Sequence, residues 1–185
     1  MRNVSWIKAL PTYLTWSRML AVPLLFVLYA GLDHPMLWVL ICFVTASITD
    51  WLDGFIAKRY NGVSRFGAFL DPVADKLLVC SALIIMVTEH PSVWLAMMAS
   101  VIIGREILIS ALREWMSTVG ARIRVNVIRV AQIKTVFQVV GIALILGTEL
   151  HPLCFSVGFV VLLGAIFLTL YSMVVYLLAA KSSLA

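Results

Sequence analysis

The sequence predicts an all-α, polytopic membrane protein, a bundle of six transmembrane helices joined by short loops and forming one domain over residues 1–185. Two observations predict it. Apolar segments of about 18 to 25 residues recur from one end of the chain to the other, each long enough to cross a bilayer core of roughly 30 Å. The composition agrees, with 63% hydrophobic residues, a mean hydropathy of +1.05, and only 14 Lys and Arg against 9 Asp and Glu in 185 residues. A soluble domain of this size has too little interior to hide so much apolar surface.

The first span, near residues 7–31, follows Arg2 and opens at Lys8. It lacks a small-residue cleavage pattern and further apolar sequence follows at once, so it reads as a retained helix and not a removable signal. Asp33-His34-Pro35 ends it, and the second span covers 36–58, with Lys58, Arg59 and Arg65 in the connection that follows. The third, 72–88, opens beside Asp71-Pro72 and closes at Glu89-His90-Pro91. The fourth covers 92–117, Arg122 and Arg124 fill the next connection, and the fifth covers 127–147. Glu149-Leu150-His151-Pro152 introduces the sixth, 152–178, and Lys181 follows it. The three His-Pro turns lack Lys and Arg, whereas the other connections and both ends carry them. By the positive-inside rule the termini and basic connections face the cytoplasm and the His-Pro turns face outward.

Several features then have plain readings. The net charge of +5 follows from topology and attraction to anionic headgroups, and implies no nucleic acid. His34, His90 and His151 read as polar neighbours of helix breakers, not as metal ligands. Cys42, Cys80 and Cys154 sit in apolar segments without paired spacing, which supports neither a disulfide framework nor a zinc site. Trp38, Trp94 and Trp115 read as packing or interfacial residues.

The chemistry concentrates between the second and third spans. Asp50 and Asp53 are three residues apart and share one helix face; Asp71 and Asp75 are four apart and share another. A short connection through Tyr60-Asn61-Gly62 brings the two faces together. Four converging carboxylates repel one another unless cations neutralise them, and hard divalent ions, Mg²⁺ or Mn²⁺, suit an all-oxygen site. Gly54, Ala57 and Gly67 leave room for a ligand to approach the backbone, and Lys58, Arg59 and Ser64 offer partners to phosphate. Small residues also pack membrane helices together, and basic ones also mark a cytoplasmic boundary.

The string Asp50-x2-Asp53-Gly54-x2-Ala57-Lys58-x8-Gly67-x3-Asp71-x3-Asp75 resembles the signature of the CDP-alcohol phosphatidyltransferase family, D-x2-D-G-x2-A-R-x8-G-x3-D-x3-D. Every fixed position matches except one, where Lys58 stands for Arg. The likeness extends beyond the signature. Leu10 to Arg18, Arg65 to Lys76 and Arg105 to Trp115 are similar to family members that use sn-glycerol 3-phosphate, although Ala9 stands where their opening segment often has Asn.

The resemblance implies transfer of the phosphatidyl group from CDP-diacylglycerol to sn-glycerol 3-phosphate in a bacterial inner membrane, by a homodimer. It implies two metal ions held by Asp50, Asp53, Asp71 and Asp75. Gly54, Ala57, Lys58, Ser64 and Gly67 fall at or beside the positions that contact the CDP moiety. Asp71 and Asp75 become the catalytic pair, with Asp75 as general base. Arg105, Arg113, Arg129 and Lys134 lie in predicted spans or at their cytoplasmic ends, where a bound phosphate is one reason to keep a costly cation. They are the candidates for the acceptor phosphate, and pairing with Glu106, Glu114 or the Asp cluster is the alternative. Two rival functions remain at this point. One is the same chemistry on phosphatidylglycerol, inositol phosphate or serine; the other is a small cation transporter, which would line a path through the midplane.

Overall fold

The computed structural model describes the backbone of residues 4–60, 65–118 and 126–182, with side chains for 15–50, 70, 72–112, 114–116, 118 and 134–178. Six helices follow one another: α1 (Val4–Gly31), α2 (Pro35–Tyr60), α3 (Arg65–Glu89), α4 (Val93–Thr118), α5 (Asn126–Leu146) and α6 (Leu153–Ser182), with a 3-10 turn at Gly147–Glu149. No strand occurs among the described residues. Ser64, Arg122, Arg124 and the expected Asn61-Gly62 connection lie outside them.

The three His-Pro turns break the helices where the sequence places them. Pro35 is the first residue of α2, a position where its missing amide donor leaves no bond unmade. His34 before it has φ 54°, in the left-handed region, and its Nδ1 lies 3.8 Å from Glu149 Oε2 in the 3-10 turn. At the start of α4 the Ser92 carbonyl accepts from the Ala96 amide at 2.9 Å. After α5 the Leu150 amide closes the 3-10 turn on Gly147 O at 3.0 Å, and α6 begins with the Phe155 amide on Pro152 O at 3.3 Å.

One boundary differs from expectation. Pro72 reads as the opening of the third span, yet α3 begins at Arg65 and carries Pro72 inside it. A proline in a helix interior removes the amide donor to the carbonyl of residue 68, but the turns before it still close, so the helix continues through.

The helices form two compact units. The first comprises α1, α2 and α3 as far as Met86, with Leu146–His151; the second comprises Val87–Ile145 and Pro152–Ala185. In the first, α1 packs along α2, and the 3-10 turn sits against α2 through Gly147 and Leu40. Leu25, Val39, Phe43, Ala74, Leu83 and Met86 are sealed in its core. In the second, α4 packs on α6 around Ile109 and Tyr176, with Leu112, Met173 and Val175 against them.

Hydroxyls inside these apolar helices find partners one turn back. Thr45, Ser47, Thr49, Ser100 and Ser110 each donate to the carbonyl four residues earlier at 2.6–2.8 Å. Such back-bonding satisfies the hydroxyl without water, the requirement of a segment surrounded by hydrocarbon. Val93–Met116 of α4 and Leu153–Leu178 of α6 are long and apolar enough to cross a membrane, while Thr15–Gly31 and Pro35–Asp50 are shorter apolar stretches. On α6, Val157, Val160, Phe167, Val174 and Leu178 are exposed, an outward apolar surface that lipid covers without cost and water does not.

Close approach of α5 and α6 depends on two glycines. A Cβ at Gly158 would lie 2.8 Å from Ile145 Cγ1, 2.9 Å from Leu144 Cβ and 3.0 Å from Gly141 O; one at Gly141 would lie 3.0 Å from Leu162 N. The residues met are largely backbone or β-carbons, which cannot swing aside. Gly158→Ala is therefore expected to lower the thermal midpoint of the detergent-purified protein, by about 1–3 kcal/mol of overpacking. Gly164→Ala, whose Cβ meets nothing within 4 Å, is the control and is expected to leave the midpoint unchanged or raise it slightly.

Candidate active site

Charged side chains from three helices meet in the first unit. Arg18 belongs to the buried stripe of α1, Thr15, Arg18, Ala21 and Leu25, whose spacing of three or four residues keeps it on one face. The Arg18 side chain is 1% exposed, and its Nη1 donates to Asp50 Oδ1 of α2 at 2.5 Å and to Asp75 Oδ1 of α3. The two carboxylates are far more open, at 41% and 38%. A guanidinium enclosed to this degree is tolerable only when anions face it, and two do.

Asp53 lies on α2 one turn beyond Asp50, and Asp71 on α3 one turn before Asp75. Gly54, Ala57 and Lys58 belong to α2 and Gly67 to α3, but the side chains of residues 51–60, 65–69 and 71 lie outside the described residues. The described acids already define a chemistry. Two carboxylate oxygens from different helices reach the same cationic atom, so the site draws hard oxygen donors together around positive charge, the donor set that Mg²⁺ and Mn²⁺ take. Among the described residues no group of three or more His, Cys, Asp or Glu gathers. The fit to a cation thus rests on Asp50 and Asp75.

The second unit holds a basic counterpart. Arg105 of α4 and Lys134 of α5 are 6% and 2% exposed. Arg105 Nη1 donates to Glu106 Oε1 at 3.0 Å, Lys134 Nζ donates to the same oxygen, and Arg105 Nη2 donates to Ser172 Oγ of α6 at 2.8 Å. Ser172 in turn donates to the Thr169 carbonyl at 2.9 Å. Two cations thus share one carboxylate, and Arg105 Nε and Thr169 Oγ1 are buried with no hydrogen-bond partner. Among the described residues the node sets two cations against one carboxylate and keeps spare donors at Arg105 Nε and Thr169 Oγ1, a combination suited to an oxyanion. Of the four basic candidates, Arg105 and Lys134 come together here; Arg113 of α4 and Arg129 of α5 have side chains outside the described residues.

The sequence motifs give no role to Arg18, Thr169 or Ser172. Arg18 sits in an apolar span with no acid within reach along its own helix, and the sequence marks it only as the end of the family-like stretch Leu10 to Arg18. Thr169 and Ser172, three apart, are buried polar residues on an otherwise apolar stretch of α6, and Gln138 is buried one turn after Lys134.

The chain matches the family described as CDP-alcohol phosphatidyltransferase over residues 8–177. Curated relatives named CDP-diacylglycerol–glycerol-3-phosphate 3-phosphatidyltransferase span it almost end to end. The protein of Sodalis glossinidius is 41% identical over 179 residues, that of Escherichia coli 42% over 179, and that of Salmonella choleraesuis 43% over 177, each match covering 95% of this chain and 96% of the relative.

The buried basic node generates a stability prediction. Glu106→Gln removes the carboxylate that Arg105 and Lys134 share and is expected to destabilise by about 3–5 kcal/mol, as breaking a buried ion pair does. Ser172→Ala removes one donor's partner and is expected to cost about 1–3 kcal/mol. Thermal unfolding in detergent checks the order; equal midpoints for the two variants would contradict it.

Proposed function

The chain belongs to the CDP-alcohol phosphatidyltransferase family, and we propose that it transfers the phosphatidyl group of CDP-diacylglycerol to sn-glycerol 3-phosphate, giving phosphatidylglycerophosphate and CMP. The relatives' names support donor and acceptor alike. The single observation that carries the site is the convergence of Asp50 and Asp75, from α2 and α3, on one cationic atom.

In this reading Asp50, Asp53, Asp71 and Asp75 hold two divalent cations, Mg²⁺ or Mn²⁺. When bound, those ions neutralise the donor's diphosphate as its bond to CMP breaks. Gly54, Ala57 and Gly67 are assigned to the nucleotide as small residues that give it room, and Lys58 and Ser64 are assigned to its phosphates. Arg105 and Lys134, with Arg113 and Arg129, hold the acceptor's phosphate; the meeting of Arg105 and Lys134 at one carboxylate and the unpartnered Arg105 Nε support this. The acceptor hydroxyl attacks the lipid-side phosphorus, its proton passes to Asp75, and the departing oxygen leaves on CMP.

The protein is taken as one six-span domain of the bacterial inner membrane, working as a homodimer. The Lys and Arg distribution supports an active site at the cytoplasmic boundary. A lipid donor then reaches the acids sideways from the bilayer, while the water-soluble acceptor arrives from the cytoplasm.

The test is CMP release from CDP-diacylglycerol by purified protein in detergent, offered sn-glycerol 3-phosphate, inositol phosphate, serine or phosphatidylglycerol in turn. Release is expected with sn-glycerol 3-phosphate, to be lost on chelation, and to fall by at least about 100-fold in Asp71→Asn. Release with a different acceptor would overturn the acceptor assignment, and full activity in chelator would overturn the metal assignment.

A further inference from the structure

Arg18 has no part in the reaction as just described, yet it is among the most completely enclosed large side chains of the protein. Its Nη1 touches one oxygen of Asp50 and one of Asp75, two acids assigned above to cation binding. A divalent cation held by Asp50 and Asp75 would draw on those same carboxylates. The guanidinium nitrogen already stands between them, so ion and nitrogen cannot occupy that place together, and their charges repel. The acids also need a counter-ion at all times. Asp50 and Asp75 are drawn together from two helices, and without a cation between them they would push α2 and α3 apart.

We propose that Arg18 is a resident counter-ion, holding Asp50 and Asp75 together when no divalent cation is bound and giving up their oxygens when one binds. Arg18 is thus a positioning residue carried on α1. It keeps the acidic faces assembled, and it makes metal binding an exchange of one cation for another instead of an addition to bare carboxylates. The metal is held less tightly than the same acids would hold it alone. The inference rests on the assignment of the acids to cation binding made above.

The experiment is Mn²⁺ titration of detergent-purified, chelator-stripped protein, with free Mn²⁺ read by electron paramagnetic resonance and thermal unfolding recorded with and without Mn²⁺. The variants are Arg18→Met, of similar length but with no oxygen to offer a cation, and Arg18→Lys. Arg18→Met is expected to bind Mn²⁺ at least about tenfold more tightly than the wild type, since a close competing charge is gone. Its midpoint in chelator should fall, and its rise on adding Mn²⁺ should exceed the wild type's. Arg18→Lys, with a compact charge that cannot fork, should lie between the two. Should Arg18→Met not be recovered folded, Arg18→Lys alone decides, and must bind Mn²⁺ more tightly than the wild type. Unchanged or weaker Mn²⁺ binding in the variants overturns the proposal. Absence of Mn²⁺ binding in the wild type, or binding indifferent to Asp50→Asn, overturns instead the cation assignment beneath it.

Discussion

A charge enclosed among apolar helices must meet its opposite, and much of this structure follows from meeting that demand. Arg18, Arg105 and Lys134 are all nearly sealed from solvent, and each reaches a carboxylate on a helix or at a position that its own apolar packing does not require. Breaking such a pair leaves an uncompensated charge whose cost exceeds that of most packing defects. The pairs therefore act as registration points. Arg18 fixes α1 against both α2 and α3, and Glu106 fixes α4 against α5, while Ser172 brings in α6. In lipid this matters more than in water, because greasy surfaces gain little by choosing a helix over a lipid tail.

The remaining polar groups obey the same rule by local means. Thr and Ser hydroxyls bond back into their own helices, and the glycines of α5 and α6 let backbones come together where side chains would hold them apart. The outward surface of α6 is left apolar. Among the described residues two nodes of buried charge share one plan. The acidic node contains a cation, Arg18, and the basic node contains an anion, Glu106. In the acidic node Asp50 and Asp75 are half-exposed, open enough to admit a ligand. Phosphoryl transfer between two anionic substrates asks for this kind of site, in which charge is prepared in place and not gathered at the moment of reaction.

The helices and their limits were legible in the sequence because they depend on short-range properties: runs of apolar residues, proline at the turns, and basic residues at alternate connections. The three His-Pro breaks follow these signals, whereas Pro72 misled, since a proline states that one amide is missing and not whether the chain around it stays helical. The acids were legible for the same reason. Asp50 with Asp53, and Asp71 with Asp75, are related by one turn of helix, and that relation needs no knowledge of how helices pack.

What only the tertiary structure decided is which charges face which. Arg18 lies 32 residues from Asp50 and 57 from Asp75, and Arg105 lies 67 from Ser172. Along the chain Arg18 has no acid on its own helix and Arg105 has Glu106 beside it, so each is compatible with a ligand, an ion pair or a boundary. The choice among these is made by helix packing, which sets distances between side chains far apart in sequence. Coulomb and desolvation energies depend on those distances and on enclosure, and no local pattern of residues contains either. The sequence by itself determined the helices, the turns and the kind of chemistry the acids support; the packing decided that this acidic site is assembled around a cation of its own.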